Sequence, residues 1–255
     1  MLSRHSAAIA ASFGARAAAY EQHAGLQRSV ADRLAGLLPE LNAPRVLELG
    51  CGTGLFSRHL LARYPDGRFV LSDLSAAMLS ECRRNIAVTA NGHVNFEVMD
   101  AGRAGARGPF DLIAMSMALH WFANPLAALA DLRRSLAPDG TLIYATLGPD
   151  SFAEWRDVLQ AEKLGSGLAE IVGLPGIVDE ERVAPDESAL GFLRRMKSVG
   201  GLTPREGYAR LTPGALRRAI RAADARHGGR ITWHIVYGRL EAQAESRSRP
   251  SIIPA

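Results

Sequence analysis

A carboxylate and three glycines alternate at the end of an apolar run. In "VLELGCGTGLF", residues 46–56, Glu48 is followed by Gly50, Gly52 and Gly54. Glycines spaced in this way let a ligand approach the backbone, because no Cβ stands in its path. The dinucleotide fingerprint G-x-G-x-x-G would need a third glycine at position 55, where Leu55 stands. The loop also lacks the lysine and hydroxyl of a phosphate-binding P-loop. The pattern is E-x-G-x-G-x-G, and it asks for a different ligand.

Two later acids narrow the choice. Asp73, at the end of "RFVLSD" and followed by Leu74, lies 19 residues beyond Gly54, a separation that suits a carboxylate accepting from both hydroxyls of a ribose. Asp100, at the end of "VNFEVMD" and beside the small Ala101, is placed to accept from an exocyclic adenine amine. A nucleoside without phosphates, packed on bare backbone, points to S-adenosylmethionine. Strand-end carbonyls can meet its ammonium, and its sulfonium needs a close, glycine-lined wall.

The elements that must position these residues alternate. "RVLELG", "RFVLSD", "VNFEVMD", "FDLIAMSM" and "TLIYATLG" read as strands, the last after a "PDG" turn. "LQRSVADRLAGLL", "LFSRHLLARY", "SAAMLSECRRNIAV" (with Ser75 as its cap) and "PLAALADLRRSL" read as helices. This order predicts an α/β fold: a Rossmann-like, doubly wound, mostly parallel sheet with helices on both faces. Ligands of such sheets bind at the carboxyl ends of the strands, where Glu48, the glycines, Asp73, Asp100 and the "ALHWF" segment fall.

Composition bounds the rest. A hydrophobic share of 47% supports a sizeable core, and no run approaches the ~18 apolar residues of a membrane span. Cys51 and Cys82 lack metal-ligand spacing, so no metal is expected and both thiols read as free and buried in a reducing cytoplasm. The net charge of +4 is uneven: acids dominate residues 151–190, and bases dominate 191–230. The basic stretch suggests an acidic partner. No nucleic acid is expected, since neither a stacking platform nor a recognised binding motif accompanies the charge.

With these features, residues 40–150 resemble the class I S-adenosylmethionine-dependent methyltransferases, through "VLELGCGTG", "SDLSAAML", "FDLI" and "LAPDGTLIY". The resemblance implies that Glu48, Gly50, Gly52 and Gly54 hold the methionine end, Asp73 with Leu74 the ribose, and Asp100 with Ala101 the adenine. A narrower resemblance spans nearly the whole chain. "SFGARAAAYEQHAGLQRSVADRL", "MALHWFANP", "TLGPDSFAEWRDV", "FLRRMKSVGG" and "ITWHIVYGRL" resemble the malonyl-acyl-carrier-protein O-methyltransferases of biotin synthesis. Between the last strand of the core and "FLRRMKSVGG" the chain departs from that family, being short and glycine-rich where a helix pair is expected.

The narrower resemblance implies an N-terminal helical lid at residues 1–40, a cofactor core at 41–150 and a substrate lobe with the final sheet strand or strands at 151–240. Residues 241–255 would be a disordered tail. Phe13, Tyr20, His23 and Gln27 are the lid's aromatic and polar candidates; Tyr20, His120 and Trp121 are positioning candidates. A carboxylate acceptor needs no general base, so His120 is not expected to act as one. A malonyl carboxylate would call for a buried cation, from among Arg194, Arg195, Lys197 and Arg205. The partner would be acyl-carrier protein or its malonyl thioester, and the enzyme a cytoplasmic monomer with no membrane association. Methylation of another small acid, or a role as a respiratory-complex assembly factor on the same fold, stays open at this point.

Overall fold

The computed structural model describes residues 3–87, 93–100, 108–168 and 171–242. Seven strands form one sheet: β1 (Arg45–Leu49), β2 (Arg68–Asp73), β3 (Val94–Val98), β4 (Phe110–Ser116), β5 (Leu136–Leu147), β6 (Ile177–Val183) and β7 (Trp233–Glu241), in the order β3-β2-β1-β4-β5-β7-β6. The first five run parallel, whereas β7 is antiparallel to β5 and β6 is antiparallel to β7. This is the expected α/β architecture. One strand differs from its sequence reading, since β5 starts at Leu136 and runs through the "PDG" segment. Asp139 takes φ 65° there, and the ladder with β4 shifts register, so the turn is absorbed as an irregularity within the strand.

Alternation along the strands divides the core. Val46, Leu112, Ile143 and Ala145 face one side, and Leu47, Leu49, Ile113, Met115, Leu142 and Tyr144 face the other. The first side is covered by α3 (Gly25–Ala35), α4 (Ser57–Arg63) and α5 (Ala76–Ile86). Their buried residues recur at helical spacing: Val30 and Leu34 on α3; Met78, Leu79, Cys82 and Ile86 on α5. Ser75 caps α5 by accepting from the Met78 amide. On the second side α6 (Pro125–Arg133) contributes Leu129 and Leu132. The first core continues past the sheet into α7 (Ala153–Ala161), α8 (Ala189–Ser198) and α9 (Pro213–His227).

Ahead of the sheet stand α1 (Arg4–Gly14) and the short α2 (Tyr20–His23). Residues 164–168 and 171–176, the glycine-rich departure, form neither helix nor strand. Of the expected C-terminal tail, Glu241 ends β7 and residues 243–255 lie outside the described residues. Among the described residues, no helix is long and apolar enough to cross a membrane.

The acidic and basic runs answer one another in part. Arg195 pairs with Glu187, Arg218 with Glu162, Arg226 with Asp157 and Arg230 with Asp186, so bases from 191–230 meet acids from 151–190. Arg33 of α3 takes Asp179 in a two-pronged contact, at 2.7 Å for each nitrogen, which ties β6 to the helical layer.

Candidate active site

The loop after β1 carries the three alternating glycines, and each does something different. At Gly50 an added Cβ would stand 2.5 Å from the Ala118 Cβ, so glycine lets the β1 and β4 loops close on each other. Gly52 has φ +55°, and a Cβ there would meet nothing within 4 Å. It would project into open space, the floor of a cavity. Gly54 lines neither the cavity that Gly52 borders nor the smaller pocket beside it; its Cβ would come within 3.1 Å of Cys82 Sγ and 3.2 Å of Ile86 Cγ2. The third glycine lets α5 pack against the loop.

Asp73, at the end of β2, locks this loop in place. Its Oδ2 accepts from the Gly52 amide at 2.9 Å and its Oδ1 from the Ser75 amide at 2.8 Å. A carboxylate has about four acceptor positions, so acceptor capacity remains beyond these two amides. Burial pushes the Asp73 carboxyl up, and the amides of Ser75, Gly52 and Leu74 pull it back.

Asp73, Leu74, Asp100, Gly50 and Gly52 line a cavity of about 480 Å³, whose other wall includes Ser6, Ile9, Phe13 and Tyr20 from the N-terminal segment. Ala101 lies outside the described residues. A pocket of about 40 Å³ adjoins this cavity, sharing Tyr20, Gly50 and Gly52 with it and adding Gln27 and Glu48. Glu48 is 1% exposed. Burial pushes its carboxyl up to about 8 against the opposing effect of the Ser57 hydroxyl, which donates to it at 2.5 Å. A cation seated beside Glu48 would favour its ionised form.

A second cavity, of about 70 Å³, shares Phe13, Tyr20, Met117 and Trp121 with the first. Its remaining wall draws on His120, Phe152, Met196 and Trp233 among others, and it is mostly apolar. Met117 holds φ +55°, a strained conformation for a side chain of its size, at the boundary between the two. His120 Nδ1 lies 3.0 Å from Thr146 Oγ1, and burial pushes the imidazole down to about 4, so it is uncharged at neutral pH. Trp121 meets the Phe13 ring edge to face at 5.4 Å. Tyr20 borders all three spaces, and burial pushes its phenol well up, so it stays protonated.

The cationic clamp candidates lie apart from these spaces among the described residues. Arg194, Lys197 and Arg205 are exposed, Arg195 is held by Glu187 at 2.9 and 3.2 Å, and none of the four lines any of these three spaces. The reason is helical phase: α8 buries Ala189, Phe192 and Met196, which turns Arg194 and Lys197 to solvent. His23 is also exposed and lines none of these cavities, whereas Gln27 lines two of them.

Several contributors carry no local signal in the sequence. Glu21 Oε1 accepts from Thr53 at 3.0 Å, Arg58 at 2.7 Å and Asn85 at 3.0 Å, fastening α2 to the glycine loop and α5. Met117, Met196 and Trp233 come from three distant parts of the chain. Only the apolar periodicity of α8 could have pointed inward, and it names Met196.

Residues 46–140 match the family model described as a methyltransferase domain. The malonyl-[acyl-carrier protein] O-methyltransferase of Magnetococcus marinus is 36% identical over 251 residues, covering 90% of each chain. The biotin biosynthesis bifunctional protein BioCD of Bordetella avium is 38% identical over 244 residues, which are 91% of this chain and 51% of that longer protein. Among solved structures, the YcgJ protein of Bacillus subtilis shares the fold with a TM-score of 0.60 at 15% identity, over 84% of this chain and 99% of that one. Coclaurine N-methyltransferase, solved with N-methylheliamine and SAH, has a TM-score of 0.54 at 10% identity, over 84% and 72% of the two chains. With more than a third of its residues shared along nearly the whole length of a relative so named, the chain belongs to the malonyl-[acyl-carrier protein] O-methyltransferase family.

Proposed function

We propose that the protein methylates the free carboxylate of malonyl-acyl-carrier protein, with S-adenosylmethionine as donor, in the synthesis of the biotin precursor. The observation that carries this reading is the extent of the similarity. It runs over 90% of this chain and 90% of the relative, well beyond residues 46–140 of the methyltransferase domain.

The residues present fit the donor. Gly52 leaves open the space a Cβ would fill, Asp73 lines the cavity with acceptor capacity left for ribose hydroxyls, and Asp100 lies just past the next strand. Glu48, in the side pocket, is the counterpart of an ammonium. S-adenosylmethionine supplies a sulfonium-activated methyl: its transfer forms a carboxylate O–CH3 bond and breaks S–CH3, the pair returns to sulfur, and no proton moves.

The chain's own task is then orientation and exclusion of water. Tyr20, Met117 and Trp121, where the two cavities meet, hold the reacting groups in line. His120 stays neutral and does not act as a base. The N-terminal segment, fastened by Glu21, closes the site. The second cavity receives the acceptor's acid end. On α9 the exposed Arg217 and Arg221, which form no ion pair among the described residues, are the docking candidates for an acidic carrier. We place the enzyme in the cytoplasm, where carrier and donor are met.

Labelled-methyl transfer tests this. Malonyl-carrier protein should be the best acceptor, ahead of malonyl-coenzyme A and of free dicarboxylic acids. A free acid preferred over both thioesters would assign a different acceptor, and no transfer to any carboxylate would contradict the enzymatic reading.

A further inference from the structure

Trp233 opens β7, and because β7 is antiparallel to β5 its first residue lies beside the carboxyl end of that strand, where Ile235 pairs with Leu147. It is thus at the edge of the sheet where ligands bind. The residue is 3% exposed, its ring packed edge to face on Phe152 at 4.8 Å, and it lines the second cavity. Its Nε1 has no hydrogen-bond partner, and among the described residues it is the one buried side-chain nitrogen or oxygen of which this is true. Buried donors are nearly always paired, because leaving one unpaired costs the desolvation of the group.

Among the described residues, no lysine or arginine lines the same cavity. A carboxylate entering it loses water and meets neutral groups, so a donor without a partner is worth most when aimed at that charge. We propose that the indole N–H of Trp233 donates to the malonyl carboxylate, on the oxygen that does not attack, and so makes Trp233 a positioning residue for the acceptor. This rests on the acceptor reading above and adds to it how the acid end is recognised. A neutral donor suits the reaction better than a guanidinium, which would engage both oxygens and hold back the pair that must attack. The bond is strongest while the carboxylate is fully charged and weakens as the ester forms. Its loss should therefore appear in KM more than in kcat.

The test uses the whole protein labelled with 15N-tryptophan and saturated with SAH, the indole signals of Trp121, Trp155 and Trp233 being assigned through the chain rather than by mutation. Malonyl thioester should move the Trp233 N–H signal downfield and leave that of Trp155 in place; acetyl thioester, which lacks the carboxylate, should not move it. Trp233→Phe, which keeps an aromatic ring but no donor, should raise KM for malonyl thioester roughly 10- to 100-fold while the dissociation constant for S-adenosylmethionine stays within about twofold. An unmoved Trp233 signal in a protein that does transfer methyl to malonyl thioester would overturn this assignment alone. An equal shift with acetyl thioester would overturn it too, by giving the indole to the thioester carbonyl. No transfer to any malonyl thioester would remove the acceptor reading, and this assignment with it.

Discussion

The cavity floored by Gly52 and the cavity beneath Trp233 share four residues yet are built from opposite materials. The first presents carboxylates, Asp73 and Asp100, with Glu48 in its side pocket, together with bare backbone. The second presents aromatic and aliphatic walls and the uncharged His120. On the proposed assignment of donor and acceptor to the two cavities, the difference matches the reactants. A cationic donor with hydroxyls and an ammonium is held by acceptors. An anionic acceptor beside that cation needs no second positive charge, and the charge both reactants lose on transfer is lost more readily where water is excluded.

The largest expected effect breaks the donor side. Gly52→Val would place a branched side chain in the open space and at a positive φ, so S-adenosylmethionine affinity should fall by at least about 100-fold, since the ligand's room is filled and the backbone is strained. The protein should remain folded, as melting temperature will show. Next, Asp73→Ala should cost about 1–3 kcal/mol of donor binding by calorimetry. It also removes the acceptor of two loop amides, so Asp73→Asn, which keeps one oxygen, should fall between the two.

The charges can also be read through pH. Glu48 sits at about 8 against an ordinary 4.5, so between those values the folded chain holds a proton that the unfolded chain has released. Its contribution to stability is present below pH 4.5 and is lost as pH rises through 8. An ammonium beside it would restore its charge. Donor binding at pH 7 should therefore release up to about one proton, measured by calorimetry in buffers of different ionisation heat, and Glu48→Gln should abolish the release. His120 has the opposite sign: at about 4 against 6.5, its contribution is present above pH 6.5 and is lost as pH falls toward 4. Donor binding should not change its protonation.

The smallest effects lie outside both cavities. Reversing Arg217 and Arg221 to glutamate should raise KM for malonyl-carrier protein several-fold at low salt, less at physiological salt where surface charges are screened within ~8 Å, and leave a short malonyl thioester unaffected. Arg194→Ala and Lys197→Ala should change KM for the short thioester by less than about twofold, because both side chains point to solvent.

This contrast also explains what could be read in advance. The sheet and the donor side are written locally: a strand, its terminal acid and its glycines are contiguous, so Glu48, Gly52 and Asp73 are legible within short segments. Gly54 shares the spacing but answers to Cys82 and Ile86, which only the packing of α5 reveals. The acceptor side is assembled from Phe13, Met117, Met196 and Trp233, brought together by the fold and by the antiparallel turn into β7. The basic run suggested a clamp because charge is visible in a sequence and helical phase against a partner is not. Four of its bases, Arg195, Arg218, Arg226 and Arg230, pair instead with acids of the preceding run.

The central claim is that the acceptor's carboxylate finds its countercharge on the donor and not on the protein. Two unit charges about 4 Å apart attract by roughly 4 kcal/mol at an effective dielectric of about 20, enough to dominate a neutral pocket. The direct measurement is the dissociation constant of malonyl thioester with the enzyme saturated either by uncharged SAH or by a non-reactive analogue bearing an ammonium in place of the sulfonium. Binding at least about 10-fold tighter with the charged analogue is the result this account predicts, given that attraction. Equal affinity with both would contradict it, since the carboxylate would then gain nothing from the donor's charge.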